Sequence, residues 1–308
     1  MKGLELAERY FKEVGLPMLE RLFGTRLERI AAGLVGDGSE CYGFDDSISR
    51  DHDWGPGFCV WLTQEDWEAF GESLQEALDK LPRTFEGYGP RRTSQWGEGR
   101  TGVFEISRFY QRFLGLDRIP VELDEWLMVP ENSLAACTNG RVFRDPLGAF
   151  SAWRNALGVF YPEDVRRKKI AARCMSIGQA GQYNFPRCVR RGEFFCARYA
   201  ETKFCADVIS AAFLLNRKYT PFYKWMHRAV RSLPMLGAWI HDRIARLISE
   251  PDLSKKEEQI EEICATLIRE FARQGLSAHT SSFLPDHGPV IQGTIENARL
   301  RQRNVWVG

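Results

Sequence analysis

Residues 36–55, GDGSECYGFDDSISRDHDWG, crowd six carboxylates, four glycines and three serines into twenty positions. Carboxylates this close repel one another and raise one another's pKa unless something compensates. A bound cation is one answer and a solvated loop is the other. Read as the entry to a strand, Asp51, His52 and Asp53 alternate faces, so Asp51 and Asp53 point one way and His52 the other. Upstream, Gly38 brings a backbone able to turn tightly against a ligand, and Ser39 a hydroxyl able to hold phosphate oxygens. A third carboxylate on a later strand completes a metal site, and Glu105, between Phe104 and Ile106 in GVFEIS, has that placing. Glu122 and Asp124 in PVELDEWL are its rivals. Asp45 and Asp46 read as turn and cap residues, Arg50 as a partner for phosphate or for Asp46, and Trp54 and Trp61 as core.

The elements that must position these residues follow from pattern. LELAERYFKEVGLPMLERLFG has apolar residues at helical spacing and reads as a helical hairpin broken at Gly15 and Pro17. LERIAAGLVG, WGPGFCVWL, TGVFEISRF and GRVFRD carry the strand signal. TQEDWEAFGESLQEALDKLP is a helix capped by Thr63 and stopped at Pro82, and PRTFEGYGPRRTSQWGEGR is a glycine- and arginine-rich loop. From residue 147 to 276 nearly everything reads as helix. SKKEEQIEEICATLIREFARQG takes Ser254 as its cap and Gly275 as its stop, and the tail after Ser277 reads as irregular. In DVRRKKIAAR the basic residues Arg166, Arg167, Lys168, Lys169 and Arg173 read as a solvated helix face, with an anionic acceptor such as RNA as the functional alternative. The expected fold is therefore α+β: a small mixed sheet with flanking helices over residues 1–145, followed by an all-helical domain over 146–308.

Composition narrows the class. The 308 residues are 44% hydrophobic and 27% charged, with 42 basic against 41 acidic side chains, so no global charge marks a dedicated nucleic-acid binder. The eight cysteines form no C-x-x-C pair and read as reduced thiols. MKGLELAERYFKEVG lacks the apolar centre of a signal peptide, and no apolar run reaches the ~18 residues of a membrane span, so the expectation is a soluble, cytoplasmic chain without a membrane partner.

Gly38-Ser39, eleven intervening residues, Asp51-His52-Asp53 and an isolated carboxylate on a later strand together resemble the polymerase-beta-like nucleotidyltransferase superfamily. Within it, DDSISRDHDWG resembles an uncharacterised family, the domain of unknown function numbered 4037. The likeness extends through LDEWLMVPENSLAACTNGRVFRDPLG, FYPEDVRRKKIA and RKYTPFYKW to about residue 225. The resemblance implies a nucleotidyltransferase core whose Asp51 and Asp53 ligate two Mg²⁺ ions, joined by Glu105, where many members have aspartate. Gly38 and Ser39 would hold the terminal phosphates of a nucleoside triphosphate, and Lys224 of YTPFYKW would supply a counter-charge from the helical half. The implied reaction moves a nucleoside monophosphate to an acceptor, a small molecule, an RNA or a protein, with release of pyrophosphate. A nucleotide-binding regulatory module and an RNA-binding protein are the alternatives.

Overall fold

The computed structural model describes residues 1–91 and 99–308; the middle of the loop read over 82–100, residues 92–98, lies outside the described residues. The chain divides into two compact units, Met1–Ile119 with Ser133–Val159, and Pro120–Asn132 with Phe160–Gly308.

The first unit is built on four short strands, β1 (Ala31–Leu34), β2 (Cys59–Leu62), β3 (Gly102–Glu105) and β4 (Arg141–Arg144), in the order β3-β2-β1-β4. β1 is antiparallel to β2 and β4, while β2 and β3 run parallel, with Cys59 opposite Gly102 and Leu62 opposite Glu105. This is the mixed sheet of an α+β fold. Strand alternation puts Ala32, Val60, Leu62 and Val103 into a core with Tyr10, Phe11, Met18 and Leu19 of the N-terminal helices. The intervening positions serve a second apolar layer, where Trp61, fully buried, stacks on Phe150 at 3.7 Å and meets Phe109 edge-on at 5.5 Å. A tryptophan buried to this degree removes roughly 150–250 Å² from water, worth about 4–6 kcal/mol as an upper value.

The expected N-terminal hairpin is instead one helical run. The α-helices Gly3–Tyr10 and Leu16–Phe23 are joined by a π-helical turn, Phe11–Gly15, in which the Leu16 N–H reaches back to the Phe11 carbonyl. The wider turn lets Pro17 enter at the start of a new α-helical stretch, where its missing N–H costs nothing. Gly15 is a packing residue, because a Cβ there would stand 2.5 Å from the Phe58 ring. Thr63 caps its helix as expected, accepting from the Asp66 N–H at 3.2 Å, although the helix ends at Asp79, before Pro82.

The second unit is helical, with Glu163–Gly178, Phe194–Leu215 and Leu253–Arg273 as its long helices. Asp252, not Ser254, caps the last of these, its carboxylate accepting from the Ser254 and Lys255 N–H groups. Ser254 loses the role because it already lies within the first turn. Gly275 ends the same helix in a left-handed conformation, φ +67°. The tail is ordered rather than irregular, with helices His287–Gly293 and Ala298–Gln302. Most consequentially, the basic run is not a solvated face. Arg166, Lys168 and Lys169 are each under 5% exposed. Arg166 donates to the Leu214 carbonyl and Glu163, and Lys168 to Gln292 and the Asn304 carbonyl. Charge alone reads such a run as surface, whereas tertiary partners for Arg166 and Lys168 make these positions interior. Among the described residues, no helix is long and apolar enough to cross a membrane.

Candidate functional site

After β1 the chain enters the glycine-serine loop. The Gly36 N–H donates to Asn139 Oδ1 at 2.9 Å and the Asn139 amide returns a bond to the Gly36 carbonyl at 2.8 Å. Gly38 holds φ +125°, and a Cβ there would lie 2.7 Å from a carboxylate oxygen of Glu40. Only glycine fits this position, because Glu40 folds its buried side chain back beneath it. Ser39 then opens a single 3₁₀ turn, Glu40–Tyr42, closed by the Phe44 N–H on the Ser39 carbonyl at 2.9 Å.

Asp51 and Asp53 do not enter a strand. Asp53 has φ +52°, a left-handed conformation that aspartate tolerates better than most residues, and Pro56 follows, so the ladder cannot start until Cys59. Asp51 therefore stands exposed, its side chain 63% accessible, while Asp53 is buried. They do not share a strand face. His52 is also exposed, and its Nδ1 lies 2.8 Å from Asp51 Oδ1. Slight desolvation works against it, but the hydrogen bond and charge of His52 hold the Asp51 carboxyl below its ordinary value.

The negative charge of this loop is answered by arginines from another part of the chain, a third possibility beside cation and solvent. Arg91 Nη1 donates to Glu40 Oε1 at 3.0 Å and to the Asp53 carbonyl at 2.8 Å, and Nη2 contacts the Gly55 carbonyl at 3.3 Å. Arg100 Nη1 stands 3.5 Å from Asp53 Oδ2. One guanidinium thus ties the Gly38-Ser39-Glu40 turn to Asp53. Asp45 is structural, as expected, though more deeply placed than a turn residue. It is buried and accepts from the Gly3 N–H at 2.7 Å and Trp54 Nε1 at 3.1 Å. Asp46 is a local cap for the Ile48 and Ser49 N–H groups. Arg50 lies over the rings of Trp54 and Tyr88, at 4.8 and 5.4 Å. Glu40, Arg91 and Arg100 were missed by sequence reasoning. Glu40 directly follows the glycine-serine pair, and the arginines stand in a stretch read as a glycine- and arginine-rich loop with no role given to any one arginine.

Glu105 lies elsewhere. It ends β3 and caps the helix Ile106–Leu114, accepting from the Ser107 N–H at 2.9 Å, the Arg108 N–H at 3.1 Å and the Ser107 hydroxyl at 2.9 Å. Because β2 and β3 are parallel, Asp53 and its partner Arg100 lie at the end where both strands begin, and Glu105 lies where they finish. Three strand steps separate those ends, about 10 Å. The rivals are also engaged, both in the second unit: Glu122 takes part in a capping box with Glu125, and Asp124 pairs with Arg299 and Arg303. Among the described residues, no group of three His, Cys, Asp or Glu side chains is placed to hold a metal. Lys224, in the second unit, is exposed with its ammonium 5.0 Å from the Trp225 ring. A cavity of about 350 Å³ opens beside Arg91, between Pro56–Phe58 and Gln75–Asp79, and Gly38, Ser39, Asp51, Asp53 and Glu105 are not part of its lining. The eight cysteines are free, and burial pushes the Cys59 thiol up to about 12, far from nucleophilic range.

Beyond the geometry stand comparisons with known proteins. Residues 126–226 match the family described as a domain of unknown function, DUF4037. The match bears out the DUF4037 resemblance and takes in most of LDEWLMVPENSLAACTNGRVFRDPLG, with FYPEDVRRKKIA and RKYTPFYKW entire; DDSISRDHDWG lies outside the DUF4037 span. The solved structure of a nucleotidyltransferase-like protein from Exiguobacterium sibiricum 255-15 is a distant likeness, with 10% identity and a TM-score of 0.40 over 85% of this chain and 76% of that one. No curated protein matches the chain.

Proposed function

We propose that the first unit holds a nucleoside triphosphate against the loop 36–53 and moves its nucleotidyl group to an acceptor, with release of pyrophosphate. The observation that carries this reading is the Arg91 bridge, which holds the Gly38-Ser39-Glu40 turn against Asp53, two segments thirteen or more residues apart. Gly38 and Ser39 would receive the terminal phosphates. The donor set suits Mg²⁺ only in part. Asp51, an exposed carboxylate, and Asp53, two residues on, are the kind of oxygens the ion takes, and Mg²⁺ commonly uses one or two carboxylates with substrate phosphates and water completing its shell. Glu105 does not fit as a third ligand, since its oxygens cap a helix at the opposite strand ends. When bound, the ion would neutralise phosphate charge. Arg91 and Arg100 pair with Glu40 and Asp53 and hold them in place.

A second reading is favoured by the occupied oxygens of Glu105: a regulatory module that binds nucleotide without turning it over. The acceptor, if there is one, is a small molecule, an RNA or a protein. Calorimetric titration with ATP, GTP, CTP and UTP, with and without Mg²⁺, tests both readings on wild type and on Asp51→Asn/Asp53→Asn. Metal-dependent binding that the double substitution abolishes is expected, with Glu105→Gln binding as wild type does. Pyrophosphate release then separates enzyme from module. Affinity indifferent to both metal and substitution would overturn the site.

A further inference from the structure

The second unit contains a cleft that the nucleotide reading does not use. It has a volume of about 550 Å³, within the range of small-molecule sites, and all of its lining except Val307 and Gly308 falls in the DUF4037 span. Its floor is charged and its rim apolar. Glu131, Lys169, Arg173, Ser210 and Thr220 converge on the floor from four separate segments.

The hydrogen bonds of this floor are unevenly shared. Glu131 accepts three hydrogen bonds: Oε1 accepts from Arg173 Nη2 at 3.1 Å, and Oε2 from Thr220 at 2.6 Å and Ser210 at 3.0 Å. Arg173 also donates to the Ser210 hydroxyl at 2.8 Å and the Gly308 carbonyl at 3.2 Å. Lys169 differs. It is 4% exposed, yet among the described residues its ammonium donates no hydrogen bond. Its contacts are Glu131 Oε1 at 3.9 Å and the face of the Tyr161 ring at 5.1 Å. A buried ammonium carries three donors, and leaving them unmade is costly. Burial accordingly pushes the Lys169 pKa down, against the pull of Glu131, while Arg173 and Lys169 outweigh desolvation to hold Glu131 below its ordinary value.

The charges are uneven in the same sense. One carboxylate, Glu131, faces two cations, and the neighbouring Asp207 is answered by Lys203 at 3.0 Å, standing 4.0 Å from Arg173 Nε. The floor therefore holds an excess of positive charge and, at Lys169, of donors, with most of its acceptor sites already taken. Above it, Met128, Phe222 and Tyr223 are 70%, 46% and 75% exposed, and the two rings are 4.3 Å apart. Large apolar side chains kept in water at the mouth of a charged cleft suit a ligand with one polar end.

We propose that this cleft binds a small organic anion bearing a planar ring: its carboxylate or phosphate takes the hydrogen bonds that Lys169 leaves unmade, and its ring lies on Phe222 and Tyr223. The site stands independently of any nucleotide held by the first unit.

The test is calorimetric titration of the full chain with benzoate, phenyl phosphate and inorganic phosphate. At least one ring-bearing anion is expected to bind with a Kd below about 1 mM, and inorganic phosphate about tenfold more weakly. Lys169→Gln should weaken the ring-bearing anion by about tenfold or more, since it removes charge-assisted hydrogen bonds. Phe222→Ala and Tyr223→Ala, both exposed and so tolerated by the fold, should weaken it by about three- to tenfold while leaving inorganic phosphate unchanged. Absence of binding by both ring-bearing anions up to about 10 mM overturns the proposal. So does binding indifferent to Lys169→Gln, which places the anion elsewhere. Should Lys169→Gln fail to fold by near-ultraviolet circular dichroism, the two rim variants decide, and unchanged affinity in both is fatal.

Discussion

Two charged clusters, one in each unit, solve the same problem of crowded ionisable groups in different ways. In the loop 36–55 the carboxylates are close in sequence and their counter-charges come from far along the chain, Arg91 and Arg100. Asp51 remains in water. In the cleft of the second unit the members come from four separate segments, and Glu131 is enclosed by Lys169, Arg173, Ser210 and Thr220. The first cluster announces itself in the sequence and leaves one of its carboxylates, Asp51, in water. The second shows in the sequence only as part of a basic run, and in it Glu131 and Arg173 are densely hydrogen-bonded while Lys169 is not. Density of charge along a chain is thus a poor guide to the depth at which charge is buried, because burial is decided by partners that the local sequence does not contain.

Substitutions can sharpen this contrast. The largest loss of stability is expected for Glu131→Ala, which strands two cations in a largely buried site, about 3–5 kcal/mol by chemical denaturation. A loss below about 1 kcal/mol would mean that Glu131 is not the counter-charge on which the two cations depend. The next effect is one of pH. Lys168 is fully buried with only neutral acceptors, and desolvation, aided by Arg303, pulls its pKa down to about 8 from an ordinary 10.5. The folded state thus disfavours the proton that the unfolded state keeps. Buried thiols such as Cys59 pull total stability the other way at these pH values, so the Lys168 contribution is read as the wild-type minus Lys168→Met difference in unfolding free energy, which should rise as pH goes from about 8 to 10.5. A difference that falls over this window contradicts the assignment. Arg91→Met leaves Glu40 buried beside Gly38 without its partner and should cost about 1–3 kcal/mol. Adding Glu40→Gln should recover part of that loss, and strict additivity of the two would sever the bridge. Glu105→Ala removes a helix cap, about 1 kcal/mol, and should leave nucleotide affinity intact. Asp51→Asn should change stability by less than about 0.5 kcal/mol while reducing metal-dependent nucleotide binding, and the reverse pattern would exchange the roles given to Asp51 and Glu105.

The fold is legible in the sequence wherever a short apolar run is bounded by glycine or proline, as in IAAGLVG and GFCVWL, and wherever a cap is local, as at Thr63. It is misread where a breaker is absorbed, as Pro17 is by a π-helical turn, and where a cap competes with its neighbour, as Asp252 does with Ser254. The site follows the same division. Gly38, Ser39 and Asp53 are recognisable by type and spacing, and the glycine-serine turn does meet Asp53 through Arg91. Glu105 stands apart from the loop because the parallel pairing of β2 and β3, invisible in one dimension, carries it to the opposite end of the strands. Lys169 misleads because a basic run is ordinarily solvated, and its burial depends on partners such as Glu131, 38 positions away.

The Arg91 bridge also bears on motion. Two loops that share one guanidinium are coupled in opening: when Arg91 leaves, Gly38–Gly43 and Asp53–Gly55 lose their common tie in the same event. Amide hydrogens in both stretches should then exchange at one shared rate, a single cooperative unit smaller than the fold, and any ligand that prefers the closed loop would slow the two stretches together and by the same factor.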